Sequence, residues 1–273
     1  MNESSSDLDF VSNEVTCLNK DNLVFILVRP QFLGNIGGTA RVMKNFGFRQ
    51  LRFVRAPREY KDAEARKMAV DAIDVLKGAQ LFDSLEEALA DIGAAFGTTS
   101  CQNRQVKTAP IGFMKERIVQ LASSNKVALV FGDERDGLFN AELSLCHALL
   151  TIPTNPQFPS LNLAQAVGVC AYELERTVRS EEVDLKIRAN TDCEESPPTL
   201  ALGADNEELF QHLAAVLHDA GFTRSYNHER VMMELRSFYL RAYPTERETA
   251  LLRSAIRKIA AAVKAQIPVD GDA

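Results

Sequence analysis

Short apolar runs alternate with helical patterns along the first 180 residues. The run LVFILV at 23–28 predicts a buried strand, the pattern at 36–46 predicts an amphipathic helix, and 51–55 predicts a second strand. Further apolar runs lie at 94–100, 127–132 and 148–153, separated by helical patterns near 62–76, 84–92, 112–123, 140–146 and 161–179. This alternation predicts an α/β fold, a mainly parallel sheet with helices on both faces.

The composition changes on either side of this segment. Residues 1–21 are rich in serine and acid, and are predicted to form a disordered tail before an α/β domain at 22–180. An acidic, proline-bearing linker is predicted at 181–205. Residues 206–265 regain helical periodicity, and TERE at 245–248 forms a capping box that opens the last helix. They are predicted to form a small all-α domain.

Composition excludes several classes of protein. The chain is 46% apolar and 25% charged, with no apolar stretch near the length of a membrane span. Its first ten residues are polar and acidic, unlike a secretory signal, so we expect a cytoplasmic protein. The five cysteines are scattered without a CxxC pair, which argues against a zinc ribbon or a disulfide framework. We therefore expect reduced thiols, no membrane and no metal.

The net charge of −6 is unevenly distributed. Residues 1–21 carry −4 and residues 181–208 carry −7, which leaves +5 for the rest of the chain. The stretch 41–58 holds six cations and no acid. Such a concentration is suited to nucleic-acid phosphates, although a solvated surface explains it equally well from charge alone.

Three polar clusters follow predicted strands. They are NIGGTAR at 35–41, FGDERDGL at 131–138 and PSLNLAQAV at 159–167. The first lacks the order of a dinucleotide-binding GxGxxG and the Lys-Ser or Lys-Thr of a phosphate loop. Because ligands of open α/β sheets bind beyond the carboxyl ends of strands, we expect the three clusters and GTTS at 97–100 to meet at one site.

In this order and spacing, the clusters resemble the three motifs of the SpoU branch of SPOUT RNA 2′-O-methyltransferases, over about residues 23–179. The closest form is the TrmJ-type tRNA (cytidine/uridine-2′-O-)-methyltransferases, which FGDERDGLFNAELSLCH and PTERETALLRSAIRKI also resemble. The resemblance implies a C-terminal trefoil knot in the 22–180 methyltransferase domain, S-adenosylmethionine held in the knot, tRNA as partner, and an obligate homodimer that completes each site. The helical domain at 206–265 is expected to contact the tRNA.

The resemblance also implies roles for individual residues. The catalytic set is Arg41, Asn35, Ser160, Asn162 and Glu134. The cofactor contacts are Thr98, Thr99, Ser100, Gly132, Ile152, Pro159, Ser160 and Leu161, and the RNA contacts are Arg41, Lys44, Arg52 and Arg104. Asn35 and Asn162 each have a second interpretation, as the cap of the helix that follows. Glu134 is expected to bind backbone amides rather than to transfer protons.

The chain departs from the family pattern after GTTS. Family members carry an arginine there, whereas this chain has Cys101 and Gln102 and reaches an arginine only at Arg104. The expected function is methylation of a tRNA ribose 2′-hydroxyl, with nucleotide 32 of the anticodon loop as the favoured target. Two alternatives remain open: the same chemistry on ribosomal RNA or another tRNA position, and a non-catalytic knotted module that binds RNA.

Overall fold

Seven strands and ten α-helices make up the part of the chain that the computed structural model describes, residues 20–100, 107–188 and 198–266. The strands are β1 (Leu23–Val28), β2 (Gln50–Val54), β3 (Gln80–Phe82), β4 (Ala94–Thr98), β5 (Ala109–Pro110), β6 (Val127–Phe131) and β7 (Ala148–Thr151). The helices are α1 (Leu33–Asn45), α2 (Ala63–Ala69), α3 (Ile73–Gly78), α4 (Leu85–Ala88), α5 (Ile111–Ala122), α6 (Asn140–Ser144), α7 (Leu163–Arg188), α8 (Gly203–Asp219), α9 (His228–Leu240) and α10 (Glu246–Gln266).

All seven strands pair in parallel within one sheet, in the order β3-β2-β1-β6-β4-β7-β5. In the interior strand β1, Leu27 lies opposite Phe53 of β2 and Phe131 of β6. Every residue of β1 and β6 is buried, as expected for strands covered on both faces. The structure thus confirms the predicted α/β class and the parallel sheet.

The helices that follow the neighbouring strands β1 and β6 pack on opposite faces of the sheet. Helix α1 contributes Ile36 and Met43 to the larger core, which α5 and α7 also build. Helix α6 contributes Leu143 to the smaller core on the other face. The chain therefore leaves β1 and β6 in diverging directions, and a crevice opens beyond their carboxyl ends.

The glycines of the first cluster serve helix packing. A Cβ atom at Gly37 would lie 2.1 Å from the Ala65 carbonyl oxygen, and one at Gly38 would lie 3.2 Å from the Ala164 Cβ. Only the absence of a side chain at Gly37 allows α2 to pack this closely against α1. On its other side α1 meets α7, so a glycine-rich helix connects two other helices of the larger core.

The structure differs from the predicted boundaries at several points. The strands β3 and β5 were not predicted, because they are only three and two residues long and not fully buried. The predicted helix 62–76 is broken by a 3₁₀ turn at Val70–Ala72, where Val70 has a φ of 53°. Helix α7 continues to Arg188, into the predicted linker. The remainder of that linker lies partly outside the described residues, as does most of the predicted tail.

The end of the predicted linker is fixed to the α/β domain by hydrogen bonds and by burial. Leu200 is 2% exposed and belongs to the larger core. Its backbone N–H donates to the Asn125 Oδ1 (2.8 Å), and the Asn125 Nδ2 donates to the Pro198 carbonyl (3.4 Å). The Gly203 N–H then donates to the Ile92 carbonyl, at 2.9 Å. The helical region is therefore attached to the sheet domain at the edge where β4 and β6 begin.

Helix α8 packs against both α9 and α10 in the C-terminal region. The Thr245 Oγ1 accepts from the Glu248 N–H (3.2 Å), and the Glu248 Oε2 accepts from the Thr245 N–H (2.8 Å), which confirms the capping box. Helix α10 packs on α8, where Arg253 pairs with Asp205 and with Glu208. The bundle is thus joined by ion pairs as well as by apolar contacts.

Candidate active site

One pocket of about 270 Å³ lies in the crevice at the carboxyl edge of the sheet. It is surrounded by the segments that follow β4, β6 and β7 and by the start of α7. The eight residues expected to contact a cofactor all line it: Thr98, Thr99, Ser100, Gly132, Ile152, Pro159, Ser160 and Leu161. Segments up to 68 residues apart in sequence therefore converge as the strand pattern predicts.

A chain of side-chain hydrogen bonds crosses between the three polar clusters. The Asn162 Nδ2 donates to the Asn35 Oδ1 at 2.7 Å, and the Asn35 Nδ2 donates to the Glu134 Oε1 at 2.9 Å. Each amide has one donor and one acceptor in use, so its orientation is fixed. The first, second and third clusters are thereby connected by three side chains at the edge of the pocket.

The two asparagines differ in their relation to the helices. The Asn162 Oδ1 accepts from the Ala164 N–H (3.0 Å) and more weakly from the Gln165 N–H (3.4 Å), so Asn162 caps α7 as expected. Asn35 does not cap α1, because that helix begins two residues earlier, at Leu33. The amide of Asn35 is committed to Glu134 and Asn162 instead.

Glu134 connects the second cluster to the backbone that enters α1. Its Oε2 accepts from the Gln31 N–H (2.9 Å), and its Oε1 accepts from the Phe32 N–H (3.2 Å) as well as from Asn35. Three N–H donors thus converge on one carboxylate, two from the backbone and one from a side chain. The expected binding of backbone amides is therefore present in the structure.

Arg29 is a residue of this site that the sequence motifs do not indicate. It follows β1 directly, with a φ of 52°. Its guanidinium donates to the Asp133 Oδ2 (3.2 Å), to the Gly137 carbonyl (3.0 Å) and to both carboxylate oxygens of Glu142. Burial disfavours its charge, but the Glu142 and Asp133 carboxylates more than offset this and raise the pKa of Arg29. A lone cation at the end of a wholly apolar strand is the only sequence signal for it.

Arg41 and Ser160 are both exposed. Arg41 lies on α1, six residues after Asn35 and away from the buried face of that helix. Among the residues that the structure describes, no hydrogen bond or ion pair involves its side chain. The structure therefore leaves the guanidinium available at the surface, and does not connect it to Ser160 or Asn162 of its own chain.

Two of the expected RNA contacts, Arg52 and Lys44, are paired with acidic side chains of the protein. Arg52 is 6% exposed, and its guanidinium binds both carboxylate oxygens of Asp91 (2.5 and 2.9 Å) and the Ala88 carbonyl (2.7 Å). The prediction that Arg52 contacts RNA is thus corrected, because a buried, fully paired cation cannot reach a phosphate. Lys44 is exposed but pairs with Asp74 at 2.8 Å. Arg104, like Cys101 and Gln102, lies outside the described residues.

Within the ranges given above, no cluster of histidine, cysteine and acidic side chains has the arrangement of a metal site. Nor does any helix there have the length and apolarity needed to cross a membrane.

The fold and the pocket define an α/β protein with a ligand-sized pocket beyond the carboxyl ends of its parallel strands. The model of the SpoU rRNA methylase family matches residues 22–172, and that of the C-terminal domain of the tRNA methyltransferase TrmJ matches residues 204–268. The chain belongs to the SpoU methylase family and is a methyltransferase.

Individual relatives cover nearly the whole chain. The tRNA (cytidine/uridine-2′-O-)-methyltransferase TrmJ of Photorhabdus laumondii is 38% identical over 241 residues, 88% of this chain and 97% of the relative. The enzyme of the same name from Pectobacterium atrosepticum is 37% identical and covers the same shares. The crystal structure of TrmJ from Z. mobilis ZM4 superposes with a TM-score of 0.72 at 29% identity, over 86% of this chain and 98% of that one.

Proposed function

We propose that this protein transfers a methyl group from S-adenosylmethionine to a ribose 2′-oxygen of tRNA. The observation that carries the proposal is the meeting of Asn35 and Asn162 beside a pocket that all eight expected cofactor residues line. The relatives named TrmJ support tRNA as the substrate, because they match both the α/β domain and the helical domain.

The pocket suits the proposed cofactor. Its wall combines hydroxyl side chains, such as Thr98 and Ser160, with apolar ones, such as Ile152 and Leu161. At Gly132 a Cβ atom would lie 2.1 Å from the Gly137 carbonyl carbon, so the wall there is bare backbone. Mixed apolar and hydrogen-bonding walls of this kind accommodate a nucleoside. The residues present therefore fit an S-adenosyl group.

S-adenosylmethionine, when bound, supplies an electrophilic methyl carbon, and transfer forms a C–O bond to the 2′-oxygen as the S–C bond breaks. The task of the protein is to align the hydroxyl and to accommodate its proton. Arg41 orients the ribose and its phosphate, because a guanidinium holds its protons too tightly to act as a base. Ser160 and Asn162 hold the 2′-hydroxyl, while the substrate phosphate serves as a proton acceptor.

A homodimer and a trefoil knot complete the proposal. Arg41 has no partner within the described part of its own chain, which supports action in the site of a second subunit. Phe32, whose N–H binds Glu134, and Phe158, which precedes the pocket residue Pro159, are 61% and 79% exposed and offer contact surface to such a subunit. The knot would form where β7 and α7 pass the segment that follows β6, around the cofactor pocket.

We propose nucleotide 32 of the anticodon loop as the target, a step finer than the family alone implies. The experiment that tests the function is nucleoside mass spectrometry and 2′-O-methyl mapping on total RNA, with and without the gene. Loss of one ribose methyl group at tRNA position 32 is the expected result.

Other outcomes of this mapping separate the alternatives. Loss of a methyl group from ribosomal RNA, or from another tRNA position, would contradict the target. An unchanged pattern, together with failure of the purified protein to bind S-adenosylmethionine by calorimetry, would identify a non-catalytic module that binds RNA.

A further inference from the structure

We propose that Arg29 is a positioning residue that sets the shape of the cofactor pocket by holding the loop 132–138. That the ligand is S-adenosylmethionine rests on the proposed function, whereas the contacts between Arg29 and the loop are observed independently of it. Arg29 itself does not line the pocket, whereas every residue of this loop does.

The loop depends on Arg29 for its closure. Asp133 is 7% exposed, and its Oδ2 takes two donors from Arg29, Nε at 3.3 Å and Nη2 at 3.2 Å. The other oxygen, Oδ1, accepts from the N–H groups of Arg135 (2.9 Å) and Asp136 (2.7 Å). Arg29 thus acts on the loop backbone through one buried carboxylate.

Two further contacts fix the far side of the loop. The Arg29 Nη2 donates to the carbonyl of Gly137 at 3.0 Å, and the guanidinium carbon lies 4.1 Å from the centre of the Phe139 ring. Glu142, which also binds Arg29, accepts from the Phe139 N–H at 2.7 Å. A planar group with several donors reaches all these partners at once, which a single ammonium cannot.

The attachment is reciprocal. Arg29 extends from the first segment to the loop, and Glu134 extends from the loop back to the N–H groups of Gln31 and Phe32. The two crossed contacts join residues 29–35 to residues 133–137. Loss of Arg29 would leave Asp133 buried without a cation, and the loop would shift to hydrate it. The pocket wall at Gly132 would move with the loop.

A matched control exists one strand away. Arg55 follows β2 as Arg29 follows β1, with a φ of 50° against 52°. Its N–H donates to the Phe82 carbonyl as that of Arg29 donates to the Val54 carbonyl, at 3.0 and 2.7 Å. Its side chain, however, binds the Asp83 carbonyl, away from the pocket. Arg55→Gln therefore reproduces the loss of a strand-end guanidinium without touching the loop.

The test compares Arg29→Gln, Arg29→Lys and Arg55→Gln by three measurements. These are the Kd for S-adenosylhomocysteine by calorimetry, hydrogen exchange of 132–138 in the ligand-free protein, and the single-turnover rate at saturating cofactor. We expect Arg29→Gln to raise the Kd at least about tenfold and Arg29→Lys about threefold. Arg55→Gln stays within about twofold of wild type, the precision of such a comparison.

Loop exchange is expected to rise in Arg29→Gln, while the single-turnover rate at saturating cofactor falls by less than about threefold. A Kd within twofold of wild type, or unchanged loop exchange, would overturn the inference. If Arg29→Gln does not fold, Arg29→Lys supplies both readouts. Failure of the wild-type protein to bind cofactor would contradict the proposed function instead, and loop exchange would still decide whether Arg29 holds the loop.

Discussion

The side-chain amide of Asn162 donates a 2.7 Å hydrogen bond to the Asn35 side-chain oxygen, across 127 residues of sequence. Neither side chain is free to rotate, because Asn162 caps α7 through Oδ1 and Asn35 donates to Glu134 through Nδ2. The bond therefore fixes the starts of α1 and α7 relative to each other. It also presents Asn162 to the pocket edge in one orientation.

Asn35→Asp tests this arrangement most sharply. The substitution replaces the donor that lies 2.9 Å from Glu134 by a second anionic oxygen, while the shape of the side chain is unchanged. We expect kcat/KM to fall at least about a hundredfold, and further than in Asn35→Ala, because two carboxylates at that separation repel. Steady-state kinetics on tRNA checks this. Equal losses in the two variants would mean that the Glu134 contact has no role in orientation.

Asn35 and Asn162 are also expected to act as a unit. The double variant Asn35→Ala/Asn162→Ala should lose less activity than the product of the two single losses, because either substitution already breaks the bond between them. The measurement is a double-mutant cycle in kcat/KM. Strict additivity would show that the two amides work independently.

Arg41→Ala is expected to keep cofactor affinity and to lose most turnover. The side chain is exposed on α1 and does not line the pocket, so its removal should leave the cofactor Kd within about twofold while kcat falls at least about a hundredfold. Calorimetry and single-turnover kinetics check the two parts. Unchanged turnover would remove Arg41 from the mechanism.

Mixing variants tests whether Arg41 acts across a dimer. Arg41→Ala and Asn162→Ala are each expected to be inactive, but a mixed dimer would contain one site with both residues intact. Random reassociation of equal amounts should restore about a quarter of wild-type activity. No recovery, with mixed dimers verified by native mass spectrometry, would place Arg41 in the site of its own chain.

Arg52→Met is expected to lower the folding stability of the protein without changing its affinity for tRNA. The substitution removes a bidentate pair with Asp91 and the bond to the Ala88 carbonyl, and we expect a loss of about 2 kcal/mol, moderated because the Asp91 side chain is 45% exposed. Denaturant unfolding measures the loss, and tRNA affinity of the folded fraction should match wild type. A reduced tRNA affinity of the folded variant would restore Arg52 as an RNA contact.

The buried side chain of His147 is expected to make the folding stability of the protein depend on pH. Its Nδ1 accepts from the Ala95 N–H and its ring stacks on Tyr243, 5.5 Å between centres, at the junction with the helical region. Burial lowers the pKa of His147 to about 4 from 6.5. The folded protein therefore protonates His147 at a lower pH than the unfolded chain does. The stability that neutral His147 contributes is complete above pH 6.5 and is lost as the pH falls towards 4.

Because of the lowered pKa of His147, the free energy of unfolding is about 3 kcal/mol smaller at pH 4 than above pH 6.5. Denaturant unfolding of wild type and His147→Asn between pH 7 and pH 4 isolates it, because asparagine keeps an acceptor for Ala95 but does not titrate. The free energy of unfolding of the variant should fall less steeply over this range. Parallel curves would show that His147 is not the group responsible. Asp91, whose pKa is lowered by Arg52, then by Lys126, titrates below this window.

Residue patterns predicted the larger strands, the convergence of the polar clusters and the capping box, because each depends on local periodicity or on strand direction. Arg52 was wrongly predicted to contact RNA. The sequence shows its charge, but its ion pair with Asp91 exists only in the folded protein. Arg29 was missed for a related reason. It belongs to no motif, and its importance arises only from acceptors more than 100 residues further along the chain.

The anchor of the helical region at Asn125 and Ile92 lies at the edge where the strands begin, while the pocket lies where they end. The attachment of the helical region and the proposed methyl-transfer site are therefore separable in evolution. One edge can accept a different appendage while the residues around the pocket stay unaltered.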